Sequence, residues 1–142
     1  MTGGGVGTRI TSVPGASRRF VGSAVVYTAD AKQAVLGVSR ETLDGPGPVS
    51  EECAREMAAG ARRLFDADLA LALTGAAGPE PHGGAEPGTV WIAIDGADVS
   101  HARTFKAGAD RDRVRRWAEQ GGLDLVRRHL EGRELPTSDR II

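Results

Sequence analysis

A tyrosine and a lysine flank a turn between a predicted strand and a predicted helix, Tyr27 and Lys32. A lysine beside a serine, with a tyrosine within reach, can replace the Ser-His-Asp triad, because a neutral amine can take the proton of a serine nucleophile. Lys32 is expected in the first turn of its helix, where the helix dipole disfavours a cation and lowers the pKa of the amine. Isolated lysines are commonly solvated on the surface, so both interpretations stay open.

The sequence does not indicate which serine would face this pair. The candidates lie around a Pro-Gly turn, within a predicted strand and before a predicted helix: Ser12, Ser17, Ser23 and Ser50. Ser50 precedes two glutamates, which is typical of a helix N-cap, so its hydroxyl is expected to bind the helix backbone.

A loop of small residues, Thr-Gly-Ala-Ala-Gly-Pro at positions 74–79, follows the apolar run 69–73. Open α/β sheets bind ligands just beyond the carboxyl ends of their strands, and small residues let a ligand approach the backbone. Thr74 and the loop amides offer hydrogen bonds to such a ligand. Glycine and proline are equally typical of plain turns, so the loop alone does not decide.

Arginines cluster at the start of the last predicted helix, at positions 111, 113, 115 and 116. Arg111 and Arg115 are four residues apart and therefore share one helix face. Two guanidinium groups on one face could clamp a phosphate or a carboxylate. A solvated helix face is the competing interpretation.

Other motifs argue against a metal or a cofactor. The three histidines, His82, His101 and His129, are scattered without a second ligand at helical spacing, and no Walker loop occurs. Glycines 3, 5 and 7 open a predicted helix at 4–12 and could offer amides to an oxyanion, but no strand precedes them as a dinucleotide fold requires.

Hydrophobic patterning along the chain predicts alternating strands and helices. Strands are expected at 20–27, 69–73, 89–94 and 100–106, the last two antiparallel around an Asp95-Gly96 turn, and helices at 31–36, 51–65 and 111–130. Cys53 lies on the apolar stripe of its helix and is expected in the core. The pattern predicts a three-layer α/β/α sandwich on a mixed sheet.

Composition limits the possible partners. A chain of 142 residues with a net charge of −1 fits one domain without affinity for nucleic acid or anionic membranes. One cysteine, no apolar run of membrane-spanning length and no export signal predict a cytoplasmic protein.

A series of motifs resembles one family, in order and with similar spacing. The series comprises Thr-Gly-Gly at 2–4, Tyr-Thr-Ala-Asp-Ala-Lys at 27–32, Thr-Gly-Ala-Ala-Gly-Pro at 74–79 and Gly-Thr-Val-Trp at 88–91. In these motifs the chain is similar to the CinA C-terminal domain, the nicotinamide-nucleotide amidohydrolase family. The resemblance covers about residues 2–130 and places the domain at 1–133, with a frayed tail at 134–142.

The resemblance implies hydrolysis of nicotinamide mononucleotide to nicotinic acid mononucleotide and ammonia, without a cofactor and with a homo-oligomer as a plausible assembly. It implies that Lys32 and Tyr27 are catalytic. The substrate-binding positions that it implies are Thr2, Gly3, Gly4, Thr74, Gly75, Gly78, Arg111 and Arg115. Pro87-Gly88 departs from the family's Pro-Val-Gly, so this turn is expected to differ.

The family nucleophile is a serine in Glu-Ser-x-Thr-Gly-Gly, and Met1 occupies the x position. The resemblance therefore places the Glu-Ser pair, and the family's first strand and helix, before Met1. Two interpretations stay open. Either the serine is encoded directly upstream, or the domain is a shortened relative that binds nucleotides without turnover.

Overall fold

A computed structural model describes residues 1–108 and 110–140 and shows helices packed on both faces of one mixed sheet. The sheet has four strands in the order β1-β2-β3-β4: β1 Leu69–Gly75, β2 Thr89–Gly96, β3 Ser100–Lys106 and β4 Ser138–Arg140. The first three strands are antiparallel, whereas β4 runs parallel to β3. The predicted mixed α/β architecture is confirmed.

The helices are α1 Gly5–Thr11, α2 Ala29–Leu36, α3 Arg40–Asp44, α4 Glu51–Phe65 and α5 Arg111–Leu130, with a short 3₁₀ turn at Ala16–Arg18. Side-chain caps begin three of the longer ones, because Thr28, Ser50 and Asp110 each accept a backbone N–H of the first turn. These caps explain why α4 and α5 begin at the residues that the sequence predicted.

Successive side chains of β2 point to opposite faces of the sheet and belong to two separate hydrophobic cores. Ala93 faces α4 together with the buried Cys53, whereas Ile92 faces α5 together with Val114. Side chains on a strand alternate between the faces, so each helix covers one set. Burial of Cys53 raises the pKa of its thiol to about 11, and its predicted place in the core is confirmed.

The glycine pair inside α5 marks close packing rather than a helix break. A Cβ on Gly121 would lie 2.7 Å from a guanidinium nitrogen of Arg103, and one on Gly122 would lie 3.1 Å from a Leu71 methyl carbon. The helix therefore continues unbroken through both glycines at its closest approach to the sheet.

The strand predicted at residues 20–27 is wrong. Exposure alternates along this segment as in a strand, with Val26 buried and Val25 exposed, but the segment forms no β-ladder. A strand exists only where a neighbouring chain pairs with its backbone. Within the described residues no strand runs beside it, and the Val26 carbonyl accepts a hydrogen bond from Lys32 instead.

Three smaller predictions also change. The β2–β3 turn comes later than Asp95-Gly96, because the Gly96 N–H binds the Val99 carbonyl. Helix α3 was not predicted, although Ser39 caps it. The tail predicted to fray contributes β4, while its last two residues, 141 and 142, lie outside the described part of the chain. No helix among the described residues is long and apolar enough to span a membrane.

Candidate functional site

One cavity of about 350 Å³ lies at the end of β1, where several predicted site residues meet. Its volume falls within the range of about 300–1,000 Å³ that is typical of small-molecule sites. The lining residues are Met1, Tyr27, Lys32, Thr74, Gly75, Ala76, Ala77, Gly78, Pro79, Glu80, Pro81, His82 and Arg111. The structure thus brings together residues from the start of α2, the end of β1 and the start of α5.

Lys32 places a buried amine in the wall of this cavity. Only 5% of its surface is exposed, and its Nζ donates to the Val26 carbonyl at 3.3 Å. Burial lowers the pKa of Lys32, and the nearby Cys53 only partly opposes this shift. The predicted lowering is confirmed, with burial as its main cause, and the solvated-surface interpretation is wrong. A lysine with a lowered pKa is suited to accept a proton.

Tyr27 and the loop after β1 are joined through one guanidinium group. Arg111 donates from Nη2 to the Tyr27 hydroxyl at 3.0 Å and from Nη1 to the Gly78 carbonyl at 3.1 Å. We call this pair of hydrogen bonds the Arg111 bridge. Tyr27 remains 58% exposed, so its hydroxyl lies at the cavity mouth, whereas Lys32 lies deeper.

Positive charge converges on the end of the chain that adjoins the cavity. The pKa of the Met1 α-amino group is lowered to about 6, first by burial and then by the charges of Lys32, Arg111 and Arg115. Burial disfavours a charge of either sign, whereas the charges of Lys32, Arg111 and Arg115 favour an anionic ligand. The cavity can therefore attract a phosphate or a carboxylate.

The predicted residues Thr2, Gly3, Gly4 and Arg115 lie beside the cavity and are absent from its lining. Arg115 donates to the Thr2 carbonyl at 3.0 Å, which links α5 to the segment before α1. Gly3 and Gly4 have φ angles of 65° and 91°, a conformation that glycine adopts without strain. Helix α1 has seven residues, so its dipole contributes little.

Thr74 fastens the end of β1 to the turn that contains Pro48. Its hydroxyl donates to the Pro48 carbonyl at 2.5 Å, and the side chain is 2% exposed. Gly83 packs against the Pro48 ring, where a Cβ would lie 2.6 Å away. The Gly-Pro-Gly-Pro turn at 45–48 therefore contacts the segment around the cavity twice, at Thr74 and at Gly83.

Replacing Thr74 with valine should lower the free energy of unfolding by about 1–3 kcal/mol, because the Pro48 carbonyl loses its buried donor. Chemical denaturation measures the change. Thr74→Ser is the matched control, since it keeps the hydroxyl and should retain most of the stability. A valine variant as stable as the serine variant would show that the hydrogen bond contributes nothing.

Sequence reasoning missed three parts of this site. Glu80 and His82 line the cavity from the loop, and Pro48 holds the loop through Thr74. Their signal was the density of proline and glycine in 79–88, which indicated a loop without indicating the direction in which its side chains point. No cluster of three potential metal ligands occurs in the part of the chain that the structure describes.

Comparison with protein-family models and curated proteins gives a consistent match. The model described as CinA C-terminal domain matches residues 1–130. A CinA-like protein from Frankia casuarinae is 42% identical over 139 residues, which are 98% of this chain and 32% of that protein. A CinA-like protein from Geobacter metallireducens is 45% identical over 91% of this chain and 32% of its own length. The chain spans about a third of the length of the curated relatives it matches.

Solved structures agree with the sequence matches. Competence damage-inducible protein A (ComA) from Klebsiella pneumoniae superposes with a TM-score of 0.87 at 30% identity, over 92% of this chain and 81% of that one. The competence/damage inducible protein CihA from Agrobacterium tumefaciens gives 0.84 at 32% identity, over 88% and 78%. Sequence and fold thus point to the same group of proteins, and the chain belongs to the CinA C-terminal domain family.

Proposed function

We propose that this domain binds nicotinamide mononucleotide in the cavity at the end of β1 and takes part in its hydrolysis to nicotinic acid mononucleotide and ammonia. One observation carries the proposal: the pKa of Lys32 is lowered by burial in a cavity whose mouth holds Tyr27 and Arg111. Amide hydrolysis needs a group that takes a proton and returns it to the leaving amine, and such a lysine is suited to both steps.

The convergent positive charge supports a phosphorylated ligand. Arg111 lines the cavity and Arg115 lies one helical turn away on the same helix. Planar guanidinium groups bind phosphate oxygens through paired hydrogen bonds that are stronger than neutral ones. We assign the phosphate to these arginines and the nicotinamide ring to the deeper part of the cavity near Lys32.

The reaction requires a serine hydroxyl, which the family resemblance places in a Glu-Ser pair before Met1. Its oxygen attacks the carboxamide carbon while Lys32, directly or through the Tyr27 hydroxyl, accepts its proton. Amides of Gly3 and Gly4 are proposed to stabilise the oxyanion. The tetrahedral intermediate then breaks its C–N bond, and the proton leaves with ammonia. Water hydrolyses the resulting ester, which gives the acid and restores the serine.

The proposed reaction recycles pyridine nucleotide, which fits the cytoplasmic location that the sequence predicts. Its steps require no metal and no cofactor, and the ligand itself supplies the negative charge for the arginines.

Calorimetric titration of the chain tests the binding step. Nicotinamide mononucleotide should bind, and nicotinamide riboside, which lacks the phosphate, should bind about tenfold more weakly or worse. Arg115→Gln should remove most of this preference. Arg116→Gln, a change at an exposed residue of the same helix that lacks the contact of Arg115 with Thr2 beside the cavity, should preserve it. A chain that binds neither compound, or both equally, would contradict the proposal.

A further inference from the structure

The Arg111 bridge connects three segments that are far apart in the sequence. Arg111 is the first residue of α5, Tyr27 precedes α2, and Gly78 belongs to the loop after β1. The bridge crosses the cavity mouth, because all three residues line the cavity. It therefore fixes the position of the Tyr27 hydroxyl and of the loop at the same time.

Both acceptors in the bridge are neutral. The described side-chain contacts of Arg111 are the two hydrogen bonds of the bridge, and the residue is exposed at the start of a helix, where the dipole disfavours a cation. A hydrogen bond to an ionised acceptor is roughly twice as strong as one to a neutral acceptor. A phosphate at the cavity mouth is thus a better partner for Arg111 than the Tyr27 hydroxyl or the Gly78 carbonyl.

We propose that Arg111 is a positioning residue that makes the use of Tyr27 depend on the ligand's phosphate. When a phosphate binds the guanidinium, the Arg111 bridge opens, and the Tyr27 hydroxyl is released toward Lys32 and the reacting amide. Without a phosphate, the hydroxyl stays bound to Arg111. This inference rests on the proposed function and deepens it, because it predicts that phosphorylated substrates are selected by rate as well as by affinity.

Tyr27 provides its own reporter, because the chain contains one tyrosine. NMR of protein with labelled tyrosine rings gives a signal from Tyr27 alone. Nicotinamide mononucleotide, or inorganic phosphate alone, should shift this signal, whereas nicotinamide riboside should leave it in place. In Arg111→Met, the signal of the ligand-free protein should already lie near the position that phosphate produces in the unchanged protein. Added phosphate should not shift it further. Arg111→Lys keeps the positive charge but lacks the paired donors of the guanidinium group, so its Tyr27 signal should shift only partially with phosphate.

Turnover provides a second readout, measured on the chain joined at Met1 to the upstream segment of a relative that includes Glu-Ser. Inorganic phosphate should raise kcat for nicotinamide riboside about tenfold or more, by opening the Arg111 bridge in trans. Arg111→Met should lose this rescue, and Arg116→Gln should keep it.

Two failures can be told apart. If calorimetry shows that the mononucleotide binds while the Tyr27 signal stays in place and phosphate does not rescue the riboside, the inference is overturned and the proposed function stands. If the mononucleotide does not bind at all, the proposed function fails, and the inference fails with it.

Discussion

Lys32→Met is expected to reduce ammonia release from nicotinamide mononucleotide by about 10²–10⁴-fold, the usual contribution of a positioned acid–base group. Lys32 is the one lysine in the cavity wall, and burial lowers the pKa of its amine. Methionine fills a similar space without an amine, so the serine hydroxyl would lose the group that takes its proton. Binding of the mononucleotide should change far less than turnover.

The second lysine of the chain offers a matched control. Lys106 is exposed at the end of β3, so Lys106→Met makes the same chemical change away from the cavity. Both variants should be assayed in the chain joined to the upstream segment with Glu-Ser. Equal activity of the Lys32 and Lys106 variants would remove Lys32 from the mechanism.

The same variant tests the cost of burying this amine. Because the folded pKa of Lys32 lies below its unfolded value of 10.5, the unfolded chain binds more protons between those two values. The contribution of Lys32 to the free energy of unfolding is therefore least favourable below the folded pKa and rises with pH through that window. Lys32→Met should lose this rise.

The comparison must be made as a difference between the two proteins. Burial raises the pKa of Cys53 from 9.0 to about 11, so this thiol lowers stability as the pH rises through the same region. Both proteins contain Cys53, and the charge of Lys32 also lowers the pKa of that thiol, so the difference between their curves measures the titration of Lys32 together with its interaction with Cys53. A difference that does not change with pH would mean that Lys32 titrates normally.

Gly60→Val is expected to lower the free energy of unfolding by about 3 kcal/mol, at the upper end of typical overpacking effects. Gly60 lies on α4 where the end of α2 crosses it, and a Cβ there would lie 1.9 Å from the Leu36 carbonyl oxygen. That oxygen belongs to the backbone and can move only with α2. Because α2 carries Lys32, the variant should also lose turnover.

Arg63→Val is the control for Gly60→Val, because it places valine on the same helix away from the contact with Leu36. Arg63 is exposed on α4, so valine there introduces the same β-branched side chain without the clash. Because valine is a poorer helix former than arginine but a better one than glycine, propensity alone would destabilise only the Arg63 variant. Chemical denaturation of both variants gives the contribution of the α2–α4 contact. If the two variants lose the same stability, close packing at Gly60 does not hold α2 in place.

The sequence predicted best those elements whose signals are local. Helix α4 begins at a capping serine and carries one apolar stripe, and α5 begins at a capping aspartate, so both helices were placed correctly. Strand β3 was also predicted correctly, both in its bounds and in its antiparallel pairing with β2. In each case the residues within the element determine its ends.

Prediction failed where structure depends on a distant partner. Residues 20–27 have the composition of a strand, but a ladder requires a neighbouring backbone, which composition cannot reveal. Strand β4 has weak strand propensity and forms because β3 offers a free edge. Helix α3 is five residues long, too short for a periodic pattern, and its Ser39 cap was the one available signal.

The candidate site shows the same division. Tyr27 and Lys32 both line the cavity, as their positions at one turn led us to expect, and their catalytic pairing stays a prediction. The hydrogen bonds from Thr74 to Pro48 and from Arg111 to Tyr27 join residues separated by 26 and 84 positions, and no local pattern predicts them. These long-range contacts nevertheless determine how the loop and the tyrosine are presented to a ligand.

One measurement tests the central claim most directly: release of ammonia and nicotinic acid mononucleotide from nicotinamide mononucleotide. It should be made on the chain that begins at Met1 and on the chain joined to the upstream segment with Glu-Ser. We expect equimolar products from the joined chain, and their loss when the serine of the added pair is changed to alanine. Binding by calorimetry without either product in the joined chain would contradict the claim and would leave a nucleotide-binding domain without amidohydrolase activity.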